Sequence, residues 1–275
     1  MTLKTHLTLG RVSNLPTVWT NVLAAALLVG AAPSAVPFSA VLLAMSLFYI
    51  AGMYLNDACD AEYDQQHQPY RPIPSGLITK ERVESFALIY LSVACLLTYV
   101  ARMSALQSQG SGSIGWLVSL FALITFIVAY NRHHKNNPYS PLLMAGCRAS
   151  VLLCTAYVLT ASLSPLLLAA IIACVAWIAG LTYYAKYQSG IPFALMAIPI
   201  IIGLAISVNT PASLLPVAAL VFLLLRMRSN VGLLIAGVCL VDGIFIAAIW
   251  GLPGAVLSIV AFLLTQALQR YIAGT

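Results

Sequence analysis

Long apolar segments alternate with short polar loops along almost the whole chain. The hydrocarbon core of a bilayer is about 30 Å thick, so an α-helix needs roughly 20 apolar residues to cross it. Segments of about that length occupy residues 15–32, 36–58, 80–101, 114–131, 140–162, 165–186, 191–208, 211–226, 231–249 and 252–270. The seventh and eighth are short, and only residues 209–211 separate them, so they form either two helices or one broken helix. The pattern therefore predicts an all-α, polytopic membrane helix bundle with nine or ten transmembrane helices.

Composition agrees with this prediction and excludes a water-soluble domain. Hydrophobic residues make up 61% of the 275-residue chain and charged residues 7%, whereas soluble domains carry roughly 25% charged residues. The simplest organisation is one integral membrane domain over residues 1–275. The N-terminus lacks a small-residue cleavage site after a short apolar core, so the first apolar segment is expected to stay in place as a helix.

Lysine and arginine fall mostly on one side of the predicted bundle. If the N-terminus is cytoplasmic, most of these residues lie in cytoplasmic loops, and ten helices would also place Arg270 there. This bias is typical of membrane proteins and predicts a multi-pass protein of the cell inner membrane. The net charge of +6 then reflects loops that face anionic lipids. The chain has no patch of interleaved basic and aromatic residues that would indicate a nucleic-acid partner.

Acidic residues are concentrated at the end of the second apolar segment. The chain has 7 of them, and four lie within eight consecutive positions: Asp57, Asp60, Glu62 and Asp64. Asn56, Asp60 and Asp64 are spaced i, i+4 and i+8, so on a helix they share one face, and Asp57 lies near it. Like charges at this spacing repel each other, and a cation would relieve the repulsion. Hard oxygen ligands suit Mg²⁺, which usually also binds substrate phosphates.

A proline-rich turn, QPYRPIPSG at residues 68–76, follows the acidic residues. The prolines end the helix and hold Arg71 near the acidic face. Arg71 either pairs with a carboxylate or binds a diphosphate through its guanidinium group. Two interpretations follow: a solvated acidic loop beside a helix, or a Mg²⁺–diphosphate site that opens into a membrane cavity. The scarcity of acidic residues elsewhere favours the site.

The stretch NDACDAEYDQQHQPYRPIPSG, at residues 56–76, resembles the first aspartate-rich motif of the UbiA superfamily of intramembrane prenyltransferases. That motif reads N-D-x-x-D-x-x-x-D, six residues, then R-P-[I/L]-x-x-G, and every fixed position is present. The opening GRVSNLPTVWTN resembles the family's first helix. Together with QRYIAGT near the other end, it is similar to divergent members encoded in bacterial Ebo-type operons.

The resemblance implies a helix bundle around a central cavity, in which a prenyl group passes from a polyprenyl diphosphate to an acceptor, with aromatic compounds among the candidate acceptors. It also implies Mg²⁺ as the cofactor. The expected metal ligands are Asn56, Asp60 and Asp64, and the expected catalytic residues are Asp60, Asp64 and Arg71. The expected substrate-binding residues are Asn14, Asn56, Asp57, Arg71, Tyr183 and Lys186.

The chain departs from the family where a second aspartate-rich motif is expected. The corresponding stretch, LTYYAKYQSG at residues 181–190, contains no Asp or Glu. Lys186 is expected to compensate by pairing with the diphosphate. Tyr183, Tyr184 and Tyr187 either serve the site, by donating hydrogen bonds or facing a cation, or form an interfacial aromatic belt. The missing acids raise a second function: a non-catalytic isoprenoid- or lipid-binding or export component that keeps the fold.

Two ionisable residues, Arg148 and Asp242, lie inside predicted helices. Such residues usually face a protein interior or a wet cavity. They either pair with each other or line an acceptor pocket, and they also raise a third function, a proton-coupled transporter. His133 and His134, in a short basic loop, are either topology determinants or part of a basic rim that attracts diphosphate groups.

Overall fold

The computed structural model describes residues 2–31, 35–109, 114–135, 137–160, 162–187, 192–226 and 230–274. These ranges contain helices and turns but no strand, which confirms the all-α class. The α-helices are α1 (Leu3–Leu9), α2 (Leu15–Leu28), α3 (Ala35–His67), α4 (Lys80–Gln109), α5 (Gly115–His133), α6 (Ser140–Leu159), α7 (Pro165–Tyr187), α8 (Pro192–Ser207), α9 (Leu214–Arg226), α10 (Val231–Ala236), α11 (Val238–Trp250) and α12 (Leu252–Gln269). The 3₁₀ turns Val12–Asn14 and Pro211–Ser213 lead into α2 and α9.

Seven helices in the described ranges are long and apolar enough to cross a membrane: Val36–His67, Lys80–Leu106, Gly115–His133, Ser140–Leu159, Pro165–Tyr187, Val231–Trp250 and Leu252–Gln269. Shorter apolar helices cover Val12–Leu28, Pro192–Ser207 and Pro211–Arg226. The chain is therefore a multi-pass membrane protein. Helices α8 and α9 are separate, but the total of nine or ten transmembrane helices stays a prediction.

Helix α3 is longer than the sequence pattern predicts and carries the acidic residues. The apolar segment predicted at 36–58 ends too early, because α3 continues to His67, and Asn56, Asp60 and Asp64 therefore lie on one helix, as their spacing predicts. Residues 59–67 contain neither Gly nor Pro, and their Ala, Glu and Gln residues favour a helix. The helix ends shortly before Pro69, whose ring disfavours helical conformation in the preceding residue.

The segment predicted at 231–249 forms one apolar span, Val231–Trp250, with a one-residue break between α10 and α11 at Gly237, whose φ of −56° and ψ of −19° stay helical. Trp177 lies beside the break, and its Nε1 donates to the carbonyl oxygen of Leu234 at 2.9 Å. A Cβ at Gly237 would lie 2.7 Å from Cζ2 of that indole. The absence of a side chain at Gly237 therefore makes room for the close approach of Trp177.

Parts of two other expectations fall outside the described ranges. The Gly/Ser-rich stretch 107–115, between the apolar segments predicted at 80–101 and 114–131, begins inside α4, and its residues 110–113 are not described. In the stretch corresponding to the second motif, α7 runs to Tyr187, and residues 188–190 are not described.

Helices α2 and α11 lie at the centre of the bundle and contact each other. The apolar window in α10–α11 is 72% buried, whereas the windows in α4 and α12 are 22% buried. Two hydrophobic clusters surround this centre. One draws mainly on α3 to α6 and the other mainly on α7 to α11, while α2 and α6 contribute to both. This arrangement leaves a cavity between the two clusters.

Candidate active site

A cavity of about 350 Å³ opens between the two hydrophobic clusters. Apolar side chains form much of its wall, among them Val18, Met45, Phe48, Leu123, Val151 and Ile178. Polar side chains line the end near the sequence motif, which we call the motif end: Arg11, Asn14, Asn56, Arg71, Asn131 and His134. An apolar chamber with a few convergent polar groups is typical of a small-molecule site.

The acidic row, defined as Asn56, Asp57, Asp60 and Asp64, lies on the buried face of α3. Each of these residues is 7% exposed or less. Glu62, on the same helix, is exposed. Side chains spaced by four residues share a helix face, and the burial pattern agrees with this alignment. The row therefore lies within the protein, and its charges need partners.

Two guanidinium groups contact the acidic row. Nη2 of Arg11 donates to Oδ1 of Asn56 at 3.1 Å and to Oδ1 of Asp57 at 3.0 Å. Nη1 of Arg71 donates to Oδ2 of Asp64 at 2.7 Å and lies 3.7 Å from Oδ1 of Asp57. The turn after α3 thus brings Arg71 back to the row, as the sequence predicts. Asp57 lies within ion-pair distance of both arginines.

The loop after α5 supplies the bases that contact Asp60. Nζ of Lys135 lies 2.8 Å from Oδ1 of Asp60, and Nε2 of His134 lies 3.3 Å from the same oxygen. Nζ of Lys135 also lies 3.6 Å from the ring centroid of Tyr63, which is a cation–π contact. Of the two interpretations of this loop, these contacts favour a basic rim of the site.

Lys186 holds this loop in place. Its ammonium group donates to the carbonyl oxygens of His134 and Asn137, at 3.2 and 2.7 Å, and to Oγ of Ser140 at 3.1 Å. Helix α7 thereby fixes the segment that carries the bases near Asp60. A direct contact between Lys186 and a diphosphate stays a prediction.

Arg11 has an unusual backbone conformation. Its φ of 41° and ψ of 46° are left-handed, and it is the one non-glycine residue with positive φ in the described part of the chain. A residue with a Cβ pays roughly 1–2 kcal/mol for this conformation. Such strain clusters at functional sites. In the sequence, Arg11 appears only as part of the opening GRVSNLPTVWTN and of the basic excess on one side of the bundle.

Asn14 connects the first long helix to the segment after α12. Its Nδ2 donates to the hydroxyl of Tyr49 at 3.1 Å and to the carbonyl oxygen of Gly274 at 2.8 Å. Its Oδ1 accepts from Nε2 of Gln269 at 2.9 Å. Asn14 lines the cavity as expected, and Gly274 lines it too.

A buried polar network connects Arg148 with Asp242. Arg148 lines the cavity and donates to Oδ1 of Asn21 at 3.1 Å and to Oγ1 of Thr17 at 2.8 Å. The Nδ2 of Asn21 and the hydroxyl of Thr20 each donate to Asp242 at 2.6 Å. Asn21 therefore bridges the two ionisable residues. The sequence reveals both charges but not the helix α2 residues that join them.

The structure brings most of the expected site residues together. Asn14, Asn56 and Arg71 line the cavity, and Asp57, Asp60 and Asp64 lie on the same face of α3 or next to it. Tyr183 is placed differently. On α7 the residues that line the cavity are Ile178, Leu181, Thr182 and Ala185, while the rings of Tyr183 and Tyr187 stack with centroids 6.0 Å apart.

No local sequence pattern distinguishes Arg11 or Asn131 as a site residue, whereas Lys135 belongs to the short basic loop that carries His133 and His134. Asn131 orients Asn56, because its Oδ1 accepts from Nδ2 of Asn56 at 3.3 Å and its Nδ2 donates to the carbonyl oxygen of Gly52 at 3.1 Å. Its one sequence signal is an amide at the end of an apolar segment. That signal is common, so it does not distinguish Asn131 from other residues at helix ends.

The acidic row has suitable ligand chemistry for Mg²⁺ but an unsuitable arrangement. The oxygens of Asn56, Asp60 and Asp64 are the hard donors that Mg²⁺ prefers. Each carboxylate of the row, however, contacts at least one base. In the described ranges, no group of three or more His, Cys, Asp or Glu side chains is placed to hold a metal ion. As placed, these residues do not fit a metal centre.

The chain is similar to known proteins over most of its length. A family model described as the UbiA prenyltransferase family matches residues 15–268. A curated relative, the digeranylgeranylglyceryl phosphate synthase of Sulfolobus acidocaldarius, is 29% identical over 89 residues, which cover 32% of this chain and 28% of that protein. The alignment thus spans less than a third of that relative's length.

Two solved structures of a UbiA homologue from Archaeoglobus fulgidus share the fold. The structure bound to DMAPP and Mg²⁺ matches with a TM-score of 0.55, and the structure bound to GPP and Mg²⁺ with a TM-score of 0.54. Both are 14% identical to this chain and cover 97% of it and 99% of the solved chain. At this identity the matches establish the architecture alone.

Proposed function

Because the chain belongs to the UbiA prenyltransferase family, we propose that it transfers a prenyl group from a polyprenyl diphosphate to an acceptor in the membrane cavity. The observation that carries this proposal is the apolar chamber whose motif end is lined by Arg11, Asn56 and Arg71. An isoprenoid tail suits the apolar wall, and a diphosphate suits the guanidinium groups. The Archaeoglobus neighbours bound to DMAPP and GPP support this substrate class.

In the proposed reaction, the bond between the allylic carbon and the diphosphate oxygen breaks, and the electron pair leaves with the diphosphate. Guanidinium groups at the motif end stabilise the negative charge of the leaving group. The allylic cation forms in a cavity that limits access of water. Aromatic rings of Phe48, Tyr49 and Tyr130 line this cavity and suit a cation. The acceptor then attacks the cation and loses a proton.

The residue roles in this proposal follow the contacts of the acidic row. Asp60 and Asp64 order the bases, and Arg71 contacts the diphosphate, so these three residues form the catalytic set. Asn14, Asn56 and Asp57 complete the substrate-binding set, whereas Lys186 acts through the loop after α5 and Tyr183 is not among the residues that line the cavity. The expected Mg²⁺ at Asn56, Asp60 and Asp64 would require Asp60 and Asp64 to release the bases that they contact. The basic residues of the motif end favour its placement on the cytoplasmic side of the inner membrane, where the N-terminus would also lie.

Release of pyrophosphate by purified protein tests the proposal. The protein in lipid nanodiscs is supplied with prenyl diphosphates of several lengths, a panel of aromatic and lipid acceptors, and Mg²⁺. Asp60→Ala and Asp64→Ala are each expected to lower turnover by at least about a hundredfold, because they release bases that must be held for the leaving group. Glu62→Ala, an exposed residue of the same helix, is the matched control. Full turnover in both row variants would reject the mechanism.

A second candidate is a non-catalytic isoprenoid-binding or export component. The observation that favours it is the absence of acidic residues from 181–190. It predicts that the protein binds prenyl diphosphates without releasing pyrophosphate, whatever acceptor is offered. Detection of pyrophosphate that depends on Asp64 would eliminate this candidate.

A further inference from the structure

The charge of the acidic row is balanced by the chain's own bases. Asp57, Asp60 and Asp64 carry three formal negative charges, and Arg11, Arg71 and Lys135 carry three positive ones, so the sum is zero when His134 is neutral. A buried carboxylate attracts a divalent ion when its charge is uncompensated. Because its net charge is zero, the acidic row with its bases attracts Mg²⁺ more weakly than an unpaired row would.

The sequence offers few other acidic residues that could attract Mg²⁺ to this site. The four acids outside the row are Glu62, Glu81, Glu84 and Asp242. Glu62 is exposed, Asp242 accepts hydrogen bonds from α2, and the two others lie on α4. Residues 181–190 contribute none. The usual oxygen-rich Mg²⁺–phosphate site therefore lacks carboxylate ligands on the α7 side.

The same bases are placed to meet a diphosphate. Arg11, Arg71 and His134 all line the cavity. The side chains of Arg11 and Arg71 are 17% and 18% exposed, more than the carboxylates they contact. Nη1 of Arg11 points to the sulfur of Met53 at 3.6 Å, which is a weak acceptor. A phosphate oxygen is a much stronger acceptor for this group.

The backbone of Arg11 is an independent observation. Its left-handed conformation is strained, and Gly precedes it rather than occupying the strained position. A chain that needed only the turn would favour glycine at residue 11. Keeping a long cationic side chain there at an energetic cost indicates that the guanidinium group itself is needed at the motif end.

From these observations we infer that Arg11, Arg71 and His134 bind the diphosphate directly, and that ground-state binding of a prenyl diphosphate does not require Mg²⁺. The inference rests on the proposed function, because it concerns the same site. The carboxylates of the row hold the bases in position, and the diphosphate competes with them for the same donors. Neutralising a carboxylate therefore strengthens binding, the opposite of what removal of a metal ligand does.

The test is the affinity for a non-reactive analogue, geranyl S-thiolodiphosphate, measured by isothermal titration calorimetry on the full chain in nanodiscs. The expected Kd in EDTA lies within about threefold of the Kd in Mg²⁺. Geraniol, which lacks the diphosphate, is titrated in parallel to subtract partitioning into lipid. Because both conditions use the same unmodified protein, folding of variants does not enter this comparison.

Matched variants identify the groups that bind. In EDTA, Arg11→Gln is expected to weaken binding by at least about tenfold, since it removes charge-assisted hydrogen bonds. Arg82→Gln, an exposed arginine on α4, is expected to leave the Kd unchanged. Asp57→Asn is expected to tighten binding in EDTA, because it releases Arg11 and Arg71. Thermal melting of each variant checks that it is folded.

The outcomes separate this inference from the proposed function. Equal affinity in EDTA and Mg²⁺, with tighter binding by Asp57→Asn, supports the inference. Binding that appears only with Mg²⁺, or is weakened by Asp57→Asn, overturns it and leaves the proposed function standing. An analogue that fails to bind in either condition overturns both. Unchanged EDTA affinity in Arg11→Gln overturns the role of Arg11.

Discussion

At the scale of single residues, the acidic row depends on partners that neutralise it. Asp64 is 2% exposed and contacts Arg71 at 2.7 Å. A buried ion pair often adds little compared with an apolar pair, but loss of one partner leaves an uncompensated charge in a low-dielectric environment. Arg71 therefore matters to the fold as well as to the proposed chemistry, and the two contributions need separate measurements.

Arg71→Gln is expected to lower the free energy of unfolding by about 2–4 kcal/mol, because it strands the Asp64 carboxylate. The double variant Arg71→Gln/Asp64→Asn is expected to regain most of this loss, since no unpaired charge remains. Denaturant unfolding in detergent micelles measures both, with Arg82→Gln as the control for a surface arginine. Equal destabilisation of the single and double variants would contradict the pairing.

The residues of the site were predictable where their partners lie close in sequence. Asp64 and Arg71 are seven positions apart, on either side of the end of α3. Their pairing follows from helix periodicity and from the prolines that reverse the chain. Arg11 and Asp57 are 46 positions apart, and Lys135 reaches Asp60 from another helix hairpin. No local pattern reports such contacts, because they depend on how the helices pack.

At the scale of elements, the loop between α5 and α6 is held from α7. The three contacts of Lys186 join residues on both sides of this loop. The stretch that lacks the second set of aspartates thus still acts on the site, through a lysine that positions His134 and Lys135. Lys186 is a positioning residue in this arrangement.

Lys186→Met is expected to speed amide hydrogen exchange in residues 137–140 and to lower prenyl transfer by at least about tenfold, because the bases near Asp60 lose their fixed geometry. Hydrogen-exchange mass spectrometry and the pyrophosphate assay provide the two readouts. Lys4→Met, in an exposed part of α1, is the control. Faster exchange with unchanged turnover would show that the loop has no role in the reaction.

Element type was predictable from hydropathy, whereas element ends were not. The acidic stretch extends beyond the apolar segment predicted at 36–58, and α3 continues through it to His67, where each of its buried carboxylates contacts a base. Gly237 separates α10 from α11 within one span that also contains Asp242, and the indole of Trp177 packs against this glycine. The ends of both elements thus depend on tertiary contacts that no local pattern reports.

At the scale of the whole molecule, the bundle creates its cavity by keeping two hydrophobic clusters apart at one place. Gly52 on α3 lines this space, and a Cβ there would lie 3.6 Å from its nearest neighbour, Cγ2 of Ile127. That distance is an ordinary van der Waals contact. The position therefore tolerates a methyl group, while a longer side chain would extend into the cavity.

Gly52→Leu is expected to fold and to raise the KM for prenyl diphosphates, with a larger effect for longer chains, because it fills space that the isoprenoid needs. Gly52→Ala is the matched control. It is expected to keep turnover and to stabilise α3 by roughly 0.5–1 kcal/mol. Steady-state kinetics with three prenyl lengths and thermal melting are the measurements. Equal KM values for all lengths in both variants would place the prenyl chain elsewhere.

The existence of a membrane bundle followed from composition, but the position of the cavity did not. Val18 and Leu123 line the cavity and also belong to the cluster of α3 to α6, and nothing in the sequence distinguishes them from cluster residues that do not reach the cavity. Only the packing of α2 against α6 and α11 separates them. The motif therefore predicted the chemistry of the opening, and the structure was needed to find the chamber behind it.

The hydrogen bonds that join the α2 region to the last part of the chain have a consequence for biogenesis. Asn14 bonds to Gln269 and Gly274, and Thr20 and Asn21 bond to Asp242. During synthesis, α2 leaves the ribosome long before these partners exist. Until these partners are synthesised, the polar groups of α2 lie in the translocon or beside lipid, where unsatisfied polar groups are costly. Chains stalled before α11 should therefore expose a recognisable signal to membrane quality-control proteases.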